Sequence, residues 1–372
     1  MSSALKLLIV GSFLAEEKRV FGGIARSCQT LMQSTFSKRF TIIPVDSTQI
    51  SNPPPGLLIR SVLALRRLAI FIGLLIRHRP DGVLLFTAVG VSFIEKSLMA
   101  WVSRIFGCTS FIFPRGGRLI DQTEQSHLMF FIVSTLLKGA DVFLSQGPSW
   151  SDFAVKRMGF NPSRVHEIPN WTATEHHLKI GSQRDFDANR KPPCILFVGW
   201  LEEFKGVFDL LEAAHNLVKQ GHIFKLTFAG SGHAEEPAKG FVKKNHLENV
   251  ITFVGWVDSE DIGELLSAND IFVLPSWAEG LPNSMIEAMA GGLAVVVTNV
   301  GMIPDFVKDK KHALLVPPKD AKSLEEALSL LITDAELRCQ IAINGFEMAS
   351  REFSVEPVIG KLGDVIEAAI LR

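Results

Sequence analysis

The feature that most constrains this chain is an alternation that runs twice. Short apolar stretches alternate with longer stretches of helical periodicity over residues 1–171, and again over residues 194–350. Strands buried on both faces of a parallel sheet read as continuous apolar runs, and the crossover helices between them repeat every 3.6 residues. In the first half the strand candidates are 6–11, 40–45, 83–87, 109–113, 141–145 and 164–168. The helix candidates between them are 22–35, 58–78, 92–106, 122–138 and 149–158. In the second half the strands fall at 194–199, 224–229, 250–254, 271–274, 294–297 and 313–316. The helices there fall at 206–220, 234–245, 259–267, 283–291, 303–308, 322–331 and 334–350. Each half therefore predicts an α/β domain with a parallel sheet. The polar stretch 172–193, with EHH, GSQRDFDANR and KPP, reads as a linker in which His176 and His177 are solvated. A last helix, within 351–372, closes the chain.

Composition narrows the class. The chain has 372 residues, of which 47% are apolar and 21% charged, which excludes a disordered chain. Cys28, Cys108, Cys194 and Cys339 are far apart with no C-x-x-C, so neither a zinc site nor a redox pair is expected, and a reducing compartment fits. The histidines form no H-E-x-x-H, and no metal is expected. No G-x-S-x-G points to a hydrolase. There is no tyrosine and there are 27 Phe, so no phenolic hydroxyl takes part in the chemistry.

Charge separates the halves. Residues 1–170 hold 19 Lys and Arg against 10 Asp and Glu; residues 171–372 hold 19 against 29. The basic half suits an anionic partner. Nucleic acid is not expected, because the basic residues are interleaved with Leu and Ile and no recognition module is present. Residues 5–13, LKLLIVGSF, read as a buried first strand and not as an export signal. Residues 57–79 carry Arg60, Arg66, Arg67, Arg77 and Arg79 with no acid between Ser47 and Pro80. Two readings stand for this segment: a crossover helix with a solvated basic edge, or a helix resting on anionic headgroups.

Ligands of parallel sheets bind at the carboxyl ends of strands, and candidate residues stand there. Gly22 and Gly23 open a helix after the first strand. FVGWLEEFKG (197–206) ends a strand at Gly199 and places Lys205 where a helix begins, beside amides that favour an anion. FAGSGH (228–233) brings Gly230 and Gly232. PSWAEGLPNSMIEAMAGG (275–292) is the most informative stretch. Glu279 lies in its loop, Leu281, Pro282, Asn283 and Ser284 enter a helix, and Glu287 follows among apolar neighbours. A carboxylate there accepts two hydroxyl donors of a sugar or ribose. In the first half, Arg115 and Arg118 flank two glycines directly after a strand and suit a phosphate or carboxylate.

Taken in order, FVGWLEEFKG, FAGSG, FVGWV, LLSANDIFVLPS, EG-x6-EAMA, TNVG-x-IPD and LLVPPKD over about 192–350 resemble the retaining glycosyltransferases of family GT4, or glycosyltransferase group 1. The first half resembles them more loosely, through Gly22-Gly23, the PDGVLLF strand and IPN at 168–170. The resemblance implies a GT-B fold: two Rossmann-like parallel-sheet domains facing across a cleft, with the last helix packing back on the first. It implies an acceptor-binding domain at 1–171 and a sugar-nucleotide-binding domain at 194–350. Carried over by motif, Glu279 contacts the donor sugar, Glu287 the ribose hydroxyls, and Lys205 the leaving diphosphate. Gly23 and Leu281 to Ser284 supply backbone contacts, and Val257 lies where the family meets the base. No metal is implied, so cations and helix N-termini stabilise the leaving group.

The donor is then a UDP- or GDP-linked sugar, with no other cofactor. The expected acceptor is a lipid-linked or cell-envelope glycan at the cytoplasmic face of an anionic membrane. Alternatives are a soluble acceptor or a degenerate sugar-nucleotide-binding protein. Two departures stand out. Trp200 replaces the family's common Arg, and Arg115 stands where a His is frequent. Arg115 or Arg118 is the candidate to compensate.

Overall fold

The computed structural model describes residues 4–13, 22–49, 55–88, 90–116, 118–186, 192–258 and 261–372. The chain divides into two units: Met1–Thr172 with Val355–Arg372, and Ala173–Ser354.

Unit 1 holds β1 (Lys6–Gly11), β2 (Thr41–Asp46), β3 (Gly82–Thr87), β4 (Thr109–Pro114), β5 (Val142–Ser145) and β6 (Val165–Glu167). They form one parallel sheet in the order β2-β1-β3-β4-β5-β6. The helices are α1 (Gly23–Gln33), α2 (Phe36–Arg39), α3 (Leu57–His78), α4 (Val91–Ile105), α5 (Arg118–Gln125), α6 (His127–Leu137) and α7 (Pro148–Asp152). Interior strands are buried on both faces: every residue of β3 is buried, and so is β1 after Lys6. Alternate strand residues face opposite helix layers. Leu7, Ile9, Leu84, Phe86, Phe111 and Phe113 pack with α1 and the C-terminal segment. The chain moves one way from β1 to β2, then the other way from β2 through β5. Right-handed crossovers therefore put α1 on one face and α3, α4 and α6 on the other.

Unit 2 holds β7 (Cys194–Val198), β8 (Lys225–Ala229), β9 (Ile251–Gly255), β10 (Ile271–Leu274), β11 (Ala294–Thr298) and β12 (Leu314–Val316). They too are parallel, in the order β12-β11-β10-β7-β8-β9. Its helices are α8 (Glu175–Ser182), α9 (Val207–Lys219), α10 (Glu235–Lys244), α11 (Ile262–Ala268), α12 (Asn283–Ala290), α13 (Ile303–Phe306), α14 (Ala321–Thr333) and α15 (Ala335–Glu352). The last helix, α16 (Val355–Ile370), returns to unit 1. There it buries Val358, Ile359, Leu362 and Ile366 in the core. Arg39 Nε, on α2, donates to Glu367 Oε1 at 2.5 Å, and its Nη2 reaches Asp364 at 2.7 Å.

The α/β reading holds, and several elements depart from expectation. The single helix expected over 122–138 is two, α5 and α6. Ser126 separates them and caps α6 by accepting from the amide of Met129 at 3.3 Å. The helix expected at 149–158 ends in a π-helical turn, Phe153–Arg157. The stretch read as a linker carries α8, capped by Thr174, and His177 on it is buried, not solvated. No side chain has room at Gly181, which lies against the Ala290 carbonyl and the Phe346 ring. Linker residues 187–191 and the loop 14–21 lie outside the described residues.

Candidate active site

A parallel sheet opens a crevice where the strand order reverses, because the two loops that leave the strands there turn to opposite faces. In unit 2 that point lies between β7 and β10. The loops leaving these two strands carry Lys205 and Glu279. Lys205 Nζ lies 2.6 Å from Glu279 Oε1, and the side chains are only 17% and 11% exposed. Lys205 sits in a 3-10 turn, Glu203–Lys205, ahead of α9. Gly206 then takes φ 71, a left-handed conformation that glycine adopts without steric cost, and a Cβ there would collide with the Pro275 carbonyl. The Lys205 loop thus lies directly on the Glu279 loop. Trp277 fastens them: its amide donates to the Phe204 carbonyl at 2.8 Å and its indole Nε1 to Asp209 Oδ2 at 2.7 Å.

The Glu279 loop is braced from its other side. Thr298 Oγ1 donates to the Ser276 carbonyl at 2.5 Å, and the Met302 amide donates to the Gly280 carbonyl at 3.0 Å. Pro282 is the N-cap of α12 and no side chain caps that helix. The first amides of any helix lack intrahelical acceptors, so this end favours an oxyanion. Along α12, Met285, Ile286 and Ala288 to Ala290 are buried, while Asn283, Ser284 and Glu287 are half-buried. Those three lie within four residues and share one helix face. A polar face is therefore left on an otherwise apolar helix. Leu281, just before the helix, is buried.

The glycines after β7 and β8 have a packing reason of their own. Gly230 has φ 143, and a Cβ there would overlap the Gly199 carbonyl. Gly232 lies against the Leu201 carbonyl. The loops after neighbouring strands touch backbone to backbone, which no side chain permits. Beside them Trp200 packs on Trp256, with ring centroids 5.3 Å apart, and Val257 follows half-buried. Trp200, the departure from the family's Arg, is half of an aromatic pair at the strand ends.

The remaining candidates lie in unit 1. Arg115, after β4, spreads its guanidinium over Phe113 at 4.8 Å and Trp171 at 5.0 Å. Its Nη2 donates to Ser27 Oγ at 2.6 Å, and that hydroxyl donates to the Gly23 carbonyl at 2.9 Å. The Trp171 indole donates to the Ser27 carbonyl at 3.1 Å. Arg115 and Gly23, far apart in sequence, therefore meet at the first turn of α1. Among the described residues no hydrogen-bond partner reaches the buried Arg115 Nη1. Burial pulls Arg115 down to about 9. A charged group held away from water without a counter-ion invites an anion. Neighbouring Cys28 is pushed up to about 12 by burial, which keeps it a protonated thiol. Arg118 opens α5, and its side chain lies outside what is described.

Among the described residues no cluster of three His, Cys, Asp or Glu suits a metal ion. Lys205, Glu279, the α12 residues, Arg115 and Gly23 were each singled out from sequence, but not the pairing of Lys205 with Glu279 or of Arg115 with the Gly23 turn. Trp277 and the 298–302 brace were not. The signal for Trp277 was an indole donor in a strand-end loop, which must find an acceptor when half-buried.

Residues 181–348 match the family Glycosyl transferases group 1. The putative colanic acid biosynthesis glycosyltransferase WcaL of Escherichia coli is 29% identical over 58% of this chain and 51% of its own length. The matched region thus spans about half the length of the first curated relatives. Among solved structures, sucrose-phosphate synthase from Thermosynechococcus elongatus superposes with TM-score 0.75 over 99% of both chains at 18% identity. Anabaena Alr3699/HepE, solved with UDP, superposes with TM-score 0.69 over 98% of this chain and 100% of its own, at 16% identity. Residues 181–348 thus resemble a group 1 glycosyltransferase domain, and the chain, folded as two Rossmann-like units in the manner of the GT-B fold, is similar over part of its length to bacterial glycosyltransferases of cell-envelope polysaccharide synthesis.

Proposed function

We propose that this protein is a retaining glycosyltransferase that moves a hexose-type sugar from a nucleoside-diphosphate sugar to a lipid-linked or cell-envelope glycan. The observation that carries this is the Lys205–Glu279 pair at the strand-order reversal of unit 2, in the stretch that matches the family.

Each residue has a role on this reading. Unit 2 holds the donor. The ammonium of Lys205 meets the diphosphate and stabilises the charge that develops as the glycosidic bond breaks. In exchange Glu279 turns its carboxylate to the sugar hydroxyls. Glu287, on the half-buried polar face of α12, takes the ribose diol, and the first amides of that helix, with Leu281 to Ser284, cradle a phosphate or sugar oxygen. Gly199, Gly230 and Gly232 let the backbone approach the nucleotide, and Val257 lies at the base. Unit 1 receives the acceptor. There Arg115 offers its unmet Nη1 to an anionic group, beside the amides of the Gly23 turn. No metal or bound cofactor has a role in this scheme. UDP in a structural relative makes a UDP-linked donor the first to test, with GDP-linked sugars next. The protein would work at the cytoplasmic face of a membrane, where a lipid-linked acceptor is presented. Among the described residues no helix is long and apolar enough to cross one.

The test is donor binding and hydrolysis over a panel of UDP- and GDP-sugars, with Glu287→Ala beside the unaltered protein. One preferred donor whose binding is lost in the variant is the expected result. Equal binding by both proteins would remove Glu287 from the donor site, and no binding of any donor would count against transfer altogether.

A further inference from the structure

We propose that the outer surface of α3, α4 and α6 docks on an anionic lipid bilayer and lies in its headgroup layer without crossing it. The sequence offered segment 57–79 alone and left it between two readings; the structure supplies a three-helix surface. A helix that covers a sheet turns its apolar stripe inward and its polar stripe to water. α3 departs from this over most of its length: its outward face carries apolar side chains interleaved with arginines. It buries only Phe71 and Leu75. Leu58, Val62, Leu65 and Ile76, spaced at helical intervals, point outward, with Leu58 84% and Leu65 67% exposed.

The surface continues over the neighbouring helices. α4 packs beside α3, and α6 beside α4, on one face of the sheet. Ile105 is 80% exposed and Phe131 68%, with Trp101 and Leu128 also exposed. Fourteen of the twenty exposed large hydrophobic side chains among the described residues lie between Leu57 and Phe131. Singly exposed apolar residues are ordinary, but a concentration of this kind marks an interaction surface.

Charge selects the occupant. Arg66, Arg77, Arg79, Arg104 and Lys138 are exposed on these helices or directly after them. The only carboxylate on the three helices is Glu95. It is buried, with Arg67 Nε at 2.6 Å and Lys96 Nζ at 2.9 Å, so it neutralises interior cations and leaves the outer ones alone. Apolar side chains ringed by unopposed cations suit the boundary between anionic headgroups and acyl chains. A second copy of this chain fits poorly, because a two-fold contact would set the same cations against themselves.

This inference shares with the proposed function only the membrane-borne acceptor, and its test needs no acceptor. Full-length protein is sedimented with vesicles of phosphatidylglycerol and phosphatidylcholine, and with phosphatidylcholine alone, at low and high salt. Binding to the anionic vesicles, weakened by salt, is expected. The double variant Leu58→Glu/Leu65→Glu and the double variant Arg66→Glu/Arg77→Glu should each lower that binding by about tenfold or more. Both change exposed positions, so thermal unfolding and donor hydrolysis should match the parent protein. No binding, equal binding to neutral vesicles, or unchanged binding by folded variants would overturn the proposal. So would a dimer, seen by light scattering, that Leu58→Glu/Leu65→Glu dissociates. Vesicle binding by a protein that hydrolyses no sugar nucleotide would support this surface while counting against the transferase reading.

Discussion

The two units share an architecture and differ in where they leave polar and apolar groups. Each is a six-stranded parallel sheet wrapped by helices. In unit 2 the strand order reverses between β7 and β10, and the reversal holds an ion pair, two interlocked loops and a helix with one polar face. In unit 1 the order reverses between β1 and β3. The polar focus described there is a single arginine that, among the described residues, has no carboxylate partner. Unit 1 instead turns apolar side chains outward on α3, α4 and α6, which unit 2 does at scattered points only. On the proposed function, two copies of one scaffold would serve different partners: unit 2 a small polar ligand, unit 1 an anion and an extended surface.

The sharpest way to break this comparison is Lys205→Ala. If unit 2 carries the leaving-group chemistry, transfer should fall by about 10²–10³-fold, with unit 1 unaffected. A retained turnover rate, measured by release of nucleoside diphosphate, would leave the ion pair a structural tie. Next in size is Gly230→Ala, which puts a side chain at φ 143 against the Gly199 carbonyl. It should destabilise unit 2 by about 2–4 kcal/mol. Calorimetry should resolve this as a lowered unit 2 transition beside an unmoved unit 1 transition; a joint shift of both would mean that the units unfold as one. Arg115→Ala tests the other side. Turnover should fall by roughly 10–30-fold through loss of an anion contact, far more than stability does, since the altered group was itself incompletely hydrogen-bonded. Unchanged turnover in purified protein would make Arg115 a packing residue between Phe113 and Trp171.

Strands were the most legible part of the sequence because both faces of a parallel strand are apolar. β1 and β10 fall on their expected residues, and the other strands shift by one residue at one or both ends. Helix breaks were less legible. Ser126 splits one apolar stretch through a side-chain cap, and nothing in the hydrophobic period marks that. α8 was hidden because its burial depends on distant partners, Ala290 and Phe346 among them. The site was legible wherever a charge stood at a strand end, as with Lys205 and Glu279. The pairing of Arg115 with Ser27 was not, because it joins the ends of β4 and α1 across 88 positions. The pairing of Trp200 with Trp256 was not legible either, because it joins loops 56 positions apart.

The smallest expected effect concerns how unit 1 retains α16, the element that returns from the far end of the chain. The Arg39 guanidinium beside it holds the Glu367 carboxyl below the usual carboxylate range. A carboxylate with a depressed folded-state pKa stabilises fully above its unfolded value and loses that contribution as pH falls through the folded one. The tie should therefore be complete at neutral pH and fade below roughly pH 4.5, the ordinary range of glutamate. Both groups are about one-third exposed, so solvent screening limits the tie to about 1 kcal/mol or less. Arg39→Ala should accordingly lower the unit 1 unfolding temperature slightly at pH 7, and the difference from the parent protein should close as the pH approaches 3. The larger part of the attachment is apolar, through Ile359, Leu362 and Ile366, each fully or almost fully buried. A loss at pH 7 of several kcal/mol, or one that persists unchanged at pH 3, would show that Arg39 supports α2 through packing rather than through charge.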